Sequence, residues 1–280
     1  MPDPSDLGPH SREGLRLLER YDAYEAIVPL RRAVASGEPG AADLLVRAYL
    51  DSGSWSAAIE WLTPLVEQGR TEFAGRLGIA LAEWGDTGRA EDVLRLAVRS
   101  GERAAANDLA LLLREDGRFA EAVQVLIAAA DGGDAQAPDN LVSLHLEAED
   151  LASAAECAER YADERRPDTV VALADVRAAQ HRDRDAEQLY RRADDLGAVR
   201  AHTAFGGFLH ARGDIAGAER EYREAERHNE PGWAWTIGRF LLDTGRPDDA
   251  RWYLQMGVRW GDRACVEALA ILDGEDPTDD

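Results

Sequence analysis

The sequence predicts an all-α repeat solenoid of about eight helix-turn-helix units followed by a C-terminal half unit, and three observations support this. Ala26, Ala58, Ala90, Ala122, Ala154, Ala186, Ala218 and Ala250 stand 32 residues apart. Glycines recur at two other places in the same frame, where helices would end. Between these marks, apolar residues return every three or four positions, the spacing of one helix face. A fixed period of this length marks a repeat architecture, in which one hairpin cannot bury its apolar face and neighbours must stack.

The frame places units at Pro9, Ala41, Phe73, Ala105, Ala137, Thr169, Ala201 and Trp233. Each opens with a helix of about 11 residues. Its fifth position is large and apolar in Leu45, Leu77, Leu109, Leu141, Leu173, Phe205, Ile237 and Leu269, with Glu13 the exception. Its sixth is small in Gly14, Val46, Gly78, Ala110, Val142, Ala174, Gly206, Gly238 and Ala270, which suits close helix approach. Gly53, Gly85, Gly117, Gly213 and Gly245 then mark a left-handed helix end. Asp22, Ser54, Asp86, Asp150 and Asp214 follow as cap residues for a second helix of about 13 residues. That helix carries the alanine column. Four residues on stands a large side chain (Leu30, Leu62, Leu94, Leu126, Tyr190, Tyr222, Leu254), and three further a small one (Ala33, Ala97, Ala129, Ala193, Ala225). The fifth unit exchanges the two, with Ala158 and Tyr161, which conserves volume. Gly37, Gly69, Gly101, Gly133, Gly197 and Gly261, with Asn229, close the second helix.

These columns resemble the tetratricopeptide repeat, as Phe205-Gly206, Gly213-Asp214, Ala218, Tyr222 and Ala225 illustrate. The period is shorter than the family's usual ~34 residues, and glycine replaces the customary proline after the second helix, which is similar to short-turn bacterial relatives. The resemblance implies a right-handed superhelix over residues 9–272, whose first helices line a concave, ligand-binding face. Two units are irregular. The fifth has Glu149 and Arg165-Arg166-Pro167 where glycines are expected, and the sixth has His181 at its turn. A bend or hinge over 149–182 and ordinary drift are both open readings. Residues 1–8 and the acidic tail 273–280 are expected to be disordered.

Composition narrows the function. A net charge of −22 argues against nucleic acid and anionic membranes and favours a basic partner. Lysine is absent, so no lysine-dependent phosphate loop, Schiff base or lysine nucleophile exists. Cys157 and Cys265 form no metal-type cluster, the first ten residues lack the regions of a secretion signal, and apolar runs are far shorter than a bilayer requires. A reduced, cytoplasmic bacterial protein without cofactor or metal is expected. Metalloprotease, serine-hydrolase, nucleotide-loop and calcium-loop motifs are missing, so no catalytic residues are assigned.

The resemblance places positions three, seven, ten and eleven on the concave face. Position eleven reads Glu19, Asp51, Glu83, Glu115, Glu147, Ala179, Ala211 and Asp243. Each of its carboxylates sits at the negative end of a helix, at a cost of about 0.3–1 kcal/mol. An acidic ladder kept against that cost suggests a groove for a basic protein or peptide segment; a solvated face in an acidic protein is the other reading. Further candidates on the face are Asp43, Arg47, Asn107, Arg114, His210, Trp235 and Arg239, the arginines also being placed to pair with neighbouring acids. The family's clamp for C-terminal carboxylates needs lysine and paired asparagines that this chain lacks. Trp233, Phe240, Trp252, Tyr253 and Trp260 are expected to brace the last full unit against the half unit. A scaffold or adaptor leads; an inhibitor or immunity-type protein blocking a basic enzyme and a peptide-responsive sensor are the alternatives.

Overall fold

The computed structural model describes residues 7–274. The expected disordered segments lie outside the described residues except at their inner edges, where Leu7 is buried and Asp273 ends the last helix. The described residues form seventeen α-helices. They pair as α1 (Pro9–Glu19) and α2 (Ala23–Ala35), α3 (Ala41–Asp51) and α4 (Trp55–Glu67), α5 (Ala74–Glu83) and α6 (Thr87–Arg99), α7 (Ala105–Glu115) and α8 (Phe119–Asp131). The second half continues with α9 (Ala137–Glu147) and α10 (Leu151–Tyr161), α11 (Pro167–Ala179) and α12 (Asp183–Asp195), α13 (Ala201–Ala211) and α14 (Ile215–Arg227), α15 (Trp233–Asp243) and α16 (Pro247–Arg259). The half unit is α17 (Arg263–Asp273). The fold is therefore an all-α solenoid of helix-turn-helix repeats. It divides into two compact units, one reaching Asp108 and including Val258–Arg263, the other Leu109–Gly257 with the residues from Ala264 onward.

Every first helix ends in the same closure. In α3 the Gly53 amide donates to Leu50 O and the Ser54 amide to Tyr49 O, the pair of bonds that closes a helix on a left-handed residue. The same bonds run from Gly85 and Asp86, from Gly213 and Asp214, and from Gly245 and Arg246. Where glycine is missing, the chain keeps the geometry: Tyr21, Glu149 and His181 have φ of 62°, 57° and 58°. Backbone hydrogen bonding and stacking thus override the side chain's preference, leaving local strain at those three turns. Asn229 adopts φ 51° as expected.

The small residues of position six have a direct cause. A Cβ on Gly14, Gly78, Gly206 or Gly238 would stand 2.3–2.7 Å from Leu30, Leu94, Tyr222 or Leu254, the large residue of the same hairpin. The alanine column is fully buried, from Ala26 through Ala250. In the second unit Val171, Ala174, Ala186, Tyr190, Ala193, Phe205 and Phe208 form one such packed cluster.

Three expectations need correction. The sixth first helix starts at Pro167 rather than Thr169, because proline is preorganised for the opening turn. Asp86, Asp150 and Asp214 cap their helices by accepting from Arg89, Ser153 and Gly217 amides, whereas Asp22 and Ser54 make no side-chain cap bond. Trp260, expected to brace the half unit, packs on Tyr21 within the first unit, with ring centroids 5.6 Å apart.

A further capping device was not anticipated. Glu38, Glu102 and Glu230 follow second helices and turn back to the amino end of the first helix of their own repeat. Glu230, only 3% exposed, accepts from His202 N at 2.9 Å and Thr203 N at 2.8 Å. A carboxylate there satisfies free amides and meets the positive end of the helix dipole.

Candidate functional site on the first helices

In the first unit, the candidate side chains of the first helices are mostly paired. Asp43 accepts from Arg76 at 2.6 Å and Arg47 donates to Asp51 at 3.1 Å. Glu83 is exposed and makes no ion pair among the described residues. Asn107 is half-buried beside Asp108, whose carboxyl is pushed up to about 6 by burial and, secondarily, by Glu102.

In the second unit, Arg114 donates to Glu147 at 3.2 Å, while Glu115 stands exposed without an ion pair among the described residues. The acids at position eleven stop at Ala179 and Ala211 and resume with Asp243, 3.9 Å from Arg239. The expected pairing of Arg47, Arg114 and Arg239 with acids is thus present, between exposed groups where such pairs contribute little.

A more buried ionic group lies on α9, α11 and the turn before α13. Arg200 Nη2 sits 2.6 Å from Asp139 Oδ2 and 3.7 Å from Asp175 Oδ2, as close ion pairs rather than aligned hydrogen bonds. Tyr190 donates its hydroxyl to Asp175 Oδ1 at 2.5 Å, and Asp168 accepts from the Val199 and Arg200 amides. Burial raises the Asp139 carboxyl, partly offset by Arg200, and pushes Asp175 up to about 6 against the pull of Arg200 and Tyr190. Burial works against the Arg200 cation, but Asp139 and Asp175 outweigh it and hold the guanidinium charged.

Beyond this group, α13, α14 and α15 form an open recess of about 280 Å³ lined by Thr203, Gly207, His210, Tyr222, Trp235, Thr236, Arg239, Phe240 and Asp243. His210, Trp235 and Arg239, chosen from the repeat register, meet here. His210 stands edge-on to Phe240, centroids 5.2 Å apart, and Phe240 packs on Tyr222 at 5.0 Å. Trp235 is half-buried at the rim, while its neighbour Trp233 is buried against Trp252 and Tyr253. Such a recess fits one side chain or a stretch of backbone and offers rings, a hydroxyl and a charged pair.

Asp139 and Asp175 occupy positions three and seven, so the register that picked out Asp43 and Arg47 already contained them. Arg200 falls in a turn, where periodicity carries no signal. Among the described residues no group of three or more His, Cys, Asp or Glu could hold a metal, and no helix is long and apolar enough to cross a membrane.

Hairpin lengths, the small-on-large packing of each hairpin and the exposed first-helix face together define a tetratricopeptide-like repeat fold. A solved tetratricopeptide repeat protein from Parabacteroides merdae matches it with a TM-score of 0.55, over 81% of this chain and 96% of that one, at 13% identity. Looser similarity extends to the C-terminal part of a repeat-containing protein from Cytophaga hutchinsonii (TM-score 0.47, 14% identity, 83% of this chain and 95% of that one). Pseudomonas aeruginosa PilF is similar at a TM-score of 0.42, with 19% identity over 78% of this chain and 89% of that one. No family model matches the sequence, and no curated protein is detectably similar to it.

Proposed function

We propose that this protein is a non-catalytic scaffold whose first-helix faces bind a protein or peptide segment bearing basic side chains. The observation that carries this reading is the pair Glu83 and Glu115. They recur at one position of successive repeats, each exposed, each without an ion pair among the described residues, and each at a helix end where a carboxylate is unfavourable. Each unit presents its own acids: Asp43, Asp51 and Glu83 in the first, and Glu115, Glu147 and the Asp139–Asp175 group in the second. The charge of −22 adds long-range attraction for a cationic partner. Two free cysteines fit a reducing compartment such as the cytoplasm.

The test is fluorescence anisotropy with a labelled arginine-rich peptide and a glutamate-rich counterpart. Raising salt from about 50 to about 300 mM should weaken the arginine-rich probe by about tenfold or more, because screening shortens the reach of exposed charges. The combined Glu83→Gln, Glu115→Gln and Glu147→Gln variant should lose most of that salt dependence while staying folded. Affinity indifferent to salt, or equal for both peptides, would sink the charge-based reading.

A further inference from the structure

Repeats six and seven carry the same tyrosine in different company. In repeat six, Tyr190 of the second helix reaches the first-helix face and gives its hydroxyl to Asp175, at position seven. In repeat seven, the equivalent residues are Tyr222 and Gly207. Glycine supplies no acceptor. Tyr222 is only 5% exposed, yet its hydroxyl makes no hydrogen bond among the described residues. A Cβ built on Gly207 would meet that oxygen at 3.8 Å and no other side chain within 4 Å. The space a carboxylate fills in repeat six is therefore open in repeat seven, and it belongs to the 280 Å³ cavity that Tyr222 lines.

The hydroxyl opens onto this cavity and can meet an acceptor that enters it, whereas five of the eight repeats place leucine at this position (Leu30, Leu62, Leu94, Leu126, Leu254) and offer no donor there. We propose that the Gly207 cavity binds an amide carbonyl of the captured segment, with the Tyr222 hydroxyl as its hydrogen-bond donor and Trp235 covering the amide plane. This rests on the first-helix face being the binding surface. Burial, and then Asp243, push the Tyr222 phenol up to about 12, so the group is a donor at neutral pH. Glycine at position seven also lets a ligand backbone approach the helix closely. A neutral acceptor suits the site better than a carboxylate, because Arg239 is already matched by Asp243 and the chain as a whole is strongly acidic.

The experiment follows the Trp235 indole N–H by NMR in the full chain, its resonance assigned with Trp235→Phe. Three probes are titrated: N-acetylglycine methylamide for a backbone carbonyl, propionamide for an Asn or Gln side chain, and acetate for a carboxylate. At least one amide should shift the indole resonance saturably, the stronger of the two naming the source of the carbonyl, and acetate should bind more weakly than both. Tyr222→Phe should weaken the amide about fivefold. Gly207→Asp, which restores the repeat-six arrangement, should abolish binding, whereas Gly207→Ala should retain a saturable but weaker shift. An absent shift, indifference to Tyr222→Phe or Gly207→Asp, or acetate binding at least as tightly as the amides would overturn the proposal. Salt-dependent capture of the arginine-rich peptide is measured on the same variants. Its persistence alongside failed amide titrations refutes only the carbonyl site, while its loss in the unmodified chain alongside successful titrations refutes only the basic-segment reading.

Discussion

Replacing Asp175 with asparagine should make the protein less sensitive to pH and no less stable at neutrality. The side chain is 27% exposed and faces Asp139 of α9, Arg200 before α13, and Tyr190 of α12, with Asp168 at the start of its own helix. Its carboxyl rises from the ordinary 3.8 to about 6 in the fold, burial being the main cause. The folded chain thus holds this proton more tightly than the unfolded chain. Stability associated with the neutral carboxyl is complete below the unfolded pKa and is lost as pH rises through about 6. Between pH 4.5 and 7 that loss amounts to about 2 kcal/mol. Asparagine keeps a carbonyl for the Tyr190 hydroxyl and never ionises. Urea unfolding of both proteins at the two pH values isolates the effect as a difference of differences, so other titrating acids cancel. The wild type should lose about 2 kcal/mol more than Asp175→Asn on going to pH 7. An unchanged pH slope, or a variant destabilised by more than about 2 kcal/mol at pH 7, would show that the Arg200 pair outweighs burial and refute this account.

Glu149→Gly and His181→Gly should each stabilise the chain by about 0.5–1 kcal/mol, since relief of left-handed strain exceeds the entropy that glycine adds to the unfolded state; thermal unfolding that falls rather than rises would contradict it. Glu230→Gln should lose about 2 kcal/mol, because the buried carboxylate accepts two amides at the opening of α13 through charge-assisted bonds. Faster hydrogen exchange at His202 and Thr203 is the local signature to look for in that variant.

Much of the architecture was legible because one hairpin repeats. The frame read from the alanine column placed first helices at Ala41, Ala105, Ala137, Ala201 and Trp233, where the structure begins them. The volume exchange of Ala158 and Tyr161 holds as well, both being buried, with the Tyr161 hydroxyl donating to Asp131 at 2.8 Å. The frame was less reliable where local chemistry competed with it. Pro167 started α11 two residues early, and α10 ended at Tyr161, where Ala162 turns extended (φ −56°, ψ 117°) instead of left-handed. Of the candidate site residues, His210, Trp235 and Arg239 were chosen through register alone, and they line one cavity.

What the sequence determined by itself was the repeat: apolar period, small positions and turn residues are local constraints, each restated eight times, and they specify a hairpin whatever surrounds it. The partners of charged and polar groups were decided only by the tertiary structure. Arg200 meets Asp139 across 61 residues of sequence, Glu230 returns 28 residues to His202, and Tyr222 reaches an empty place beside Gly207 where Tyr190 found Asp175. Burial and charge pairing depend on which side chains stacking brings within a few ångströms. Such distances exist only once the hairpins have packed.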